Sequence, residues 1–483
     1  MKKTLTFYSA LFFLLLLLQR GSGVLIKIVL ANGITPYEYG LISFVALSLP
    51  AMLQFITNFN FANILSHSVE GKKYFGFTIV ATLIMVFSLS IILWVVKDLF
   101  FEYLNLPQEG WNFYYFVIII SLLSVGILAD FIGLYTGLKL YALPGILATI
   151  PTIVRLLVII YLIYTGVTST FIILLVFALS NIVPLLLMFI SHEQRKYLSL
   201  ITTIHIPDRK IFVFGAAVFI IGAYPSIGQY IVKIVLSHEI GILWQGYYDV
   251  SLTLASLIMF ALGTISYISI PEATDSNEND IYKLGGLADV TRGFFALTIL
   301  FVIVLYFYSD YLVILLFSEN YLAGARYVFI LAIGFLFLYI QTFLANLNLS
   351  FTKDIKDYIV LGLMPIILLP FFFFLTQFMI IFFHEKGYDN GFLGAYISYT
   401  VLLIVLTLAT VLYCKNRTPI RILFHKIDRM IISIAVTFLF ITYFNPSPIA
   451  GIISGSLLFT FLAAGTGYIN KTMILEVFSS TKK

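Results

Sequence analysis

Charge is what this sequence has least of: Asp, Glu, Lys and Arg together make up 11% of 483 residues. A soluble domain carries roughly a quarter charged residues, so water is excluded as the chain's main solvent. Cysteine is almost absent. The single Cys414 excludes an intrachain disulfide and a cysteine metal cluster. The six histidines (His67, His192, His205, His238, His384 and His425) fall well apart, in or near predicted loops. That argues against a zinc or haem site, and neither a metal nor any other cofactor is expected. No G-x-x-x-x-G-K-[ST] loop occurs, which speaks against an ATP-driven pump. Ser180 and Ser226 sit in no nucleophile elbow. Bond-making chemistry is therefore not expected.

What is abundant is apolar sequence, 61% of residues with a mean hydropathy of +1.04. Each crossing of a bilayer needs about 20 apolar residues. Fourteen such runs can be marked, from Phe7–Leu30 at the N-terminus to Ala450–Ile469 near the C-terminus. They are continuously apolar, so they predict helices and not the short alternating strands of a barrel. The fold class is an all-α polytopic membrane protein with 14 transmembrane helices. The first run, preceded by Lys2 and Lys3, imitates a signal peptide but continues apolar through Leu30 with no small-residue cleavage site, so it reads as a retained span.

Loop charges orient the layout. Of the 28 Lys and Arg residues, 21 fall on the side that carries both termini, three (Lys97, Arg326 and Lys386) on the other, and four inside spans. Positive loops face the cytoplasm. The expected location is the cytoplasmic (cell) membrane, with both termini cytoplasmic. Trp94, Trp111 and Trp244 all fall at outer span ends, as an interfacial aromatic belt requires.

Lys27-Ile28-Val29-Leu30 recurs as Lys233-Ile234-Val235-Leu236, an offset of 206 residues. Continued without a gap, Ile34 meets Ile240 and Gly40 meets Gly246, six identities in fourteen positions. The offset spans six helices, so the two halves run in the same sense, a parallel repeat of the kind from which transporters are built. The expected organisation is an N-terminal six-helix lobe at 1–200, a second six-helix lobe with its cytoplasmic linker at 201–426, and two appended helices at 427–483. The linker, polar at its ends and apolar over Leu198–Ile206, should lie along the inner surface. The acidic stretch Glu272–Asp289 reads as a solvated loop.

Six charges remain inside spans: Arg20, Lys27, Asp130, Arg155, Lys233 and Asp249. Each costs from about 2.5 kcal/mol upward at the bilayer centre, so such groups face a wet cavity or a partner. Lys27 and Lys233, near outer helix ends, can also snorkel to the interface. Asp130 and Asp249 are candidate partners for the cations, or coupling carboxylates. Asp249 lies one short loop after Lys233, and a structural ion pair is the plain reading there. Four cations against two anions leave a cationic excess, which suits an anionic substrate such as a phosphate. Among the span prolines, Pro225, flanked by Gly222 and Gly228, is the preferred hinge.

Pro36-Tyr37-Glu38-Tyr39-Gly40-Leu41, Trp244-Gln245-Gly246-Tyr247, Ile270-Pro271-Glu272 and Leu316-Phe317-Ser318-Glu319-Asn320-Tyr321 are each short. In their order and at their span ends, they resemble lipid-linked oligosaccharide (O-antigen/polysaccharide) flippases of the multidrug/oligosaccharidyl-lipid/polysaccharide exporter superfamily. The resemblance covers essentially the whole chain. It implies two six-helix lobes around a central cavity, working by alternating access. The implied cargo is a polyprenyl (pyro)phosphate carrying an oligosaccharide. By position, Arg20, Lys27 and Lys233 fit the family's basic phosphate-holding residues, with Arg155 a further candidate. Membrane lipid is a partner by implication, as are a glycan polymerase or glycosyltransferases of the same pathway. A nucleic-acid partner is not expected, and the chain is expected to be a monomer. The alternative is a cation-coupled multidrug exporter of the same superfamily, which would need an acidic cavity, with Asp130 its only first-half candidate.

Overall fold

A computed structural model describes residues 2–57, 64–65, 71–138, 140, 142–190, 199–259, 281–352, 355–388, 391–415 and 427–468. All regular structure among the described residues is helical, with no strand. In chain order the long helices are α1 (Lys2–Gly33), α2 (Pro36–Thr57), α3 (Lys72–Tyr103), α4 (Gln108–Gly137), α5 (Ala142–Tyr164), α6 (Thr170–Met188) and α7 (Arg209–Glu239). They continue with α8 (Ile242–Ser256), α9 (Ile281–Leu316), α10 (Val328–Thr352), α11 (Ile355–Glu385), α12 (Phe392–Cys414), α13 (Ile427–Phe444) and α14 (Pro448–Gly465).

Eleven stretches among the described residues are long and apolar enough to cross a membrane. They coincide with eleven of the fourteen runs marked in the sequence, and the chain is a multi-pass membrane protein. The other three runs fall on α1, α7 and α8, where backbone or side chains of part of each lie outside the described residues. Exposed apolar side chains mark the lipid-facing surfaces. On α3, Phe87, Val95 and Leu99 are exposed while Phe75, Ile79, Val86 and Leu93 are buried.

Chain contacts define two compact units. The first joins residues 1–250 with 316–321 and 358–395, so it holds α1–α7, most of α8 and α11. Its core at the end expected to face the cytoplasm gathers Ile64, Leu65, Phe75, Phe131, Tyr135 and Leu185, with Leu200 and Ile201 packed against it. The linker's apolar middle is thus folded onto the bundle, as a 3-10 turn at Ser199–Thr202. Gly76 makes room for it: a Cβ there would collide with the carbonyl oxygens of Leu200, Ile201 and Thr203.

The second unit covers residues 251–315, 322–357 and 396–483. Its core brings Phe295, Tyr308, Tyr339 and Phe343 together with Met430, Ile441, Phe459 and Tyr468. The two C-terminal helices therefore share a core with α9 and α10. The hydroxyl of Tyr308, at a break in the α9 backbone (φ −128°, ψ 17°), fits against Gly451 where any side chain would collide. Among the described residues helix α9 runs from Ile281, about three turns ahead of the apolar run that opens at Gly293. Its first twelve residues carry Lys283, Asp289 and Arg292, so polarity hid a helix that extends past the span. The end of the acidic stretch is thereby helical and not loop, while Glu272 and the Ile270-Pro271-Glu272 motif lie outside the described residues.

Candidate functional site

The site is built where α1, α2, α7 and α8 meet. Helix α2 opens on a full capping box: the Thr35 hydroxyl accepts from the Glu38 N–H, the Glu38 carboxylate accepts from the Thr35 N–H, and Pro36 holds the first turn. This fixes Tyr39 and Gly40 one turn in. Helices α7 and α8 are joined by Gly241, whose φ of +98° suits glycine. The α7 end is held by the loop after α3. Asn105, itself left-handed at φ 54°, donates to the carbonyls of Ser237 and His238, and the His238 ring stacks on Tyr103 at 4.0 Å.

Helices α2 and α8 cross at the two glycines that the repeat pairs. A Cβ on Gly40 would strike the Ile242 carbonyl oxygen, and one on Gly246 would strike that of Pro36. The repeat-related positions therefore touch each other across a local pseudo-twofold.

Around this crossing the structure brings together Lys27, Lys233 and Asp249. Lys27 Nζ lies 2.9 Å from Asp249 Oδ2, and Lys233 Nζ pairs with Oδ1 of the same carboxylate. The Tyr39 hydroxyl donates to Asp249 Oδ2 at 2.8 Å, and Lys233 donates to the Ser48 hydroxyl at 2.9 Å. Asp249 is fully buried, Lys233 is 4% exposed, and the Lys27 side chain keeps 23% of its surface. Two ammonium groups share one carboxylate, so the cluster carries one net positive charge. Of the two lysines, Lys27 is the one whose side chain keeps exposed surface.

The symmetry of the backbone is not matched by the side chains. With the offset of 206, the counterpart of Asp249 is Ser43 and that of Tyr39 is Gln245. Ser43 Oγ and both amide atoms of Gln245 are buried with no hydrogen-bond partner among the described residues. One side of the pseudo-twofold carries the ion cluster and the other carries unspent neutral polar groups.

Ser48 reaches Lys233 because α2 is irregular. Residues Ser43–Ser48 form a π-helical segment, closed by the Leu49 N–H donating to the Phe44 carbonyl. Pro50 explains it: proline has no N–H to donate and its ring clashes with the carbonyl four residues back, so the wider i→i+5 register precedes it. In the sequence Tyr39 and Gln245 stand out only as members of short motifs, and the neutral Ser48 carries no signal at all.

Three of the quoted motifs converge here. The Tyr39 and Tyr247 rings both meet Tyr321 edge-on, at 5.7 and 6.1 Å, and Asn32 donates to the Leu316 carbonyl at 2.7 Å. Burial holds the Tyr321 phenol above its usual value, so it stays a neutral donor. A cavity of about 660 Å³ opens beside them, lined by Asn32, Thr35, Glu38, Tyr247, Ser318 and Asn320 among others.

The other sequence candidates lie apart. Arg20 is exposed on α1, seven residues from Lys27, which places it on the same helix face roughly 10 Å away. Arg155 on α5 donates to Ser180 Oγ, the Phe177 carbonyl and Asn181 Oδ1, and stacks on the Phe177 ring at 4.4 Å. The expected pairing of Asp130 with a cation is not found among the described residues. Asp130 is fully buried, one of its oxygens accepts from Thr82 Oγ1 at 2.8 Å, and the other has no partner among the described residues. Its bonded side faces α3, whose apolar run carries no cation at that depth. Pro225 lies inside the continuous helix α7, with its side chain outside the described residues.

No family model matches the chain, and no curated protein matches it in sequence. Its fold is that of membrane transporters of the flippase and multidrug-exporter type. A solved lipid II flippase MurJ in an inward closed conformation superposes with a TM-score of 0.67 over 98% of this chain and 99% of its own, at 14% identity. An inward-facing multidrug resistance MATE family transporter of the MOP superfamily gives 0.60 over 82% and 95%, at 12% identity. The Vibrio cholerae MATE transporter VcmN, solved as a point mutant, gives 0.54 over 86% and 98%, at 14% identity.

Proposed function

We propose that this protein is a flippase that carries a polyprenyl-(pyro)phosphate-linked oligosaccharide across the cytoplasmic membrane by alternating access, without covalent chemistry. The observation that carries the reading is the buried Lys27–Asp249–Lys233 cluster with its net positive charge. The cargo phosphate competes with the Asp249 carboxylate for the two ammonium groups, Lys27 first, and Arg20 extends the cationic face along α1. The glycan takes a polar path and the lipid tail stays in the bilayer. Support also comes from coverage: the lipid flippase fold matches nearly end to end, with both C-terminal helices included.

A cation-coupled drug exporter is the second reading, and the buried Asp130, with one oxygen unpaired among the described residues, favours it. The two part in one experiment. The protein is reconstituted into vesicles with a fluorescent polyprenyl-phosphate sugar, and lipid reaching the far leaflet is scored by accessibility to a membrane-impermeant quencher. Lys27→Ala and Lys233→Ala should each slow translocation at least about tenfold, since a charge-assisted hydrogen bond is worth ~1.5–3 kcal/mol. Normal rates in both variants, with sodium- or proton-driven dye export lost in Asp130→Asn, would give the protein to the second reading.

A further inference from the structure

A second cavity, of about 290 Å³, lies wholly within the first unit between α1, α2, α4, α5 and α6. Its polar lining is Gln19, Gln54, Ser121, Thr152, Arg155 and Asn181. Among the described residues no Asp or Glu lines it, and Arg155 is its charged group. Asp130 is on α4 but is bonded to Thr82 and does not line the cavity.

The guanidinium is only partly used. Nε donates to Ser180, and Nη2 to Ser180, Phe177 and Asn181, all neutral acceptors. Nη1, with two N–H groups, has no acceptor among the described residues. Ser121 is 3% exposed in the same wall, and its buried Oγ likewise has no partner among the described residues. A cation held in a low-dielectric bundle needs a counter-charge, and hydrogen bonds to neutral groups do not supply one.

We infer that the Arg155 cavity is a binding site for a small inorganic anion of the chloride type, separate from the Lys27–Asp249–Lys233 cluster. Arg155 Nη1 supplies the charge-assisted bonds, and the Ser121 hydroxyl and the amides of Gln19 and Gln54 complete a donor-lined shell. The volume holds an ion and several waters, each taking about 30 Å³. The anion neutralises the guanidinium and ties α5 to α4 and α2, so the first-half bundle is stabilised by chloride.

The test uses the full chain purified in detergent. Thermal unfolding is followed as chloride replaces gluconate at constant sodium and ionic strength, with inorganic phosphate as a parallel titrant. The midpoint should rise by a few degrees and saturate, as a ligand of the folded state requires. The rise should persist in Lys27→Ala and vanish in Arg155→Gln. Where Arg155→Gln does not yield a monodisperse protein, Ser121→Ala carries the test, with the half-saturating chloride raised severalfold. Equal midpoints in chloride and gluconate for the unaltered protein would overturn the inference. So would a shift kept in Arg155→Gln and lost in Lys27→Ala, which places the ion at the lysine cluster, or a response to phosphate alone. None of these outcomes bears on lipid translocation, which the vesicle assay reads separately.

Discussion

At the scale of single residues, Asp249 is the group on which the cluster depends. One carboxylate with no exposed surface answers two ammonium groups and a tyrosine hydroxyl. Removing its charge leaves Lys233 buried without a counter-ion and two like charges side by side. Breaking a buried pair in this way costs about 3–5 kcal/mol. Asp249→Asn should therefore lower the unfolding midpoint markedly, and Asp249→Asn combined with Lys233→Met should recover much of the loss. A midpoint unchanged by Asp249→Asn would mean the carboxylate does not hold the cluster together. The lysines themselves were legible, because charge within an apolar run is conspicuous and the repeat pairs them. Ser48 and Gln245 were not legible as site residues, because a neutral hydroxyl or amide carries no such signal until its burial is known. Asp130 was legible as a buried acid, but the neutral Thr82 hydroxyl that donates to it carries no such signal. Hydropathy tells the depth of a residue in the membrane, but not which neighbouring helix its side chain meets.

At the scale of elements, the π-helical turn in α2 places Ser48 on Lys233, while Ala46, Leu47 and Pro50 of the same stretch line the Arg155 cavity. One irregular turn thus serves two polar sites in the first unit. Substituting Pro50→Ala returns an N–H donor and allows the ordinary i→i+4 register. The protein should then fold with an unfolding midpoint close to the original, while translocation in vesicles falls severalfold because Ser48 turns away from Lys233. Full activity in Pro50→Ala would show that the irregular turn is incidental. The proline was visible in the sequence as a candidate kink. Its effect was not, since the same residue can bend a helix, end one or widen one turn, and packing decides among these.

At the scale of the whole molecule, eleven of the fourteen apolar runs return as helices long enough to cross a membrane, because lipid demands length and hydropathy and tolerates little else. The turns of α9 ahead of Gly293 are polar and carry no hydropathy signal. Chain contacts also put α11 with α1–α7 in one compact unit, and hydropathy says nothing about which spans pack together. The charge layout makes a prediction of its own. Cys414 is buried, and once Cys414→Ala removes it, introduced thiols report alone. Lys97→Cys and Lys386→Cys should react with a membrane-impermeant maleimide on intact cells, and Lys72→Cys and Lys415→Cys only after permeabilisation. The opposite pattern would invert the topology.

The widened turn at Ser43–Ser48 has the form of a single-residue insertion in an otherwise regular helix. Every position before it is rotated by about 100° against those after it, relative to an unbroken helix. In comparison with a relative that lacks the extra residue, a one-residue gap belongs inside 43–48. Placed anywhere else, that gap sets Tyr39 or Pro50 opposite residues that face another direction. At identities near 14%, such a slip is enough to make matching helices look unrelated along this segment.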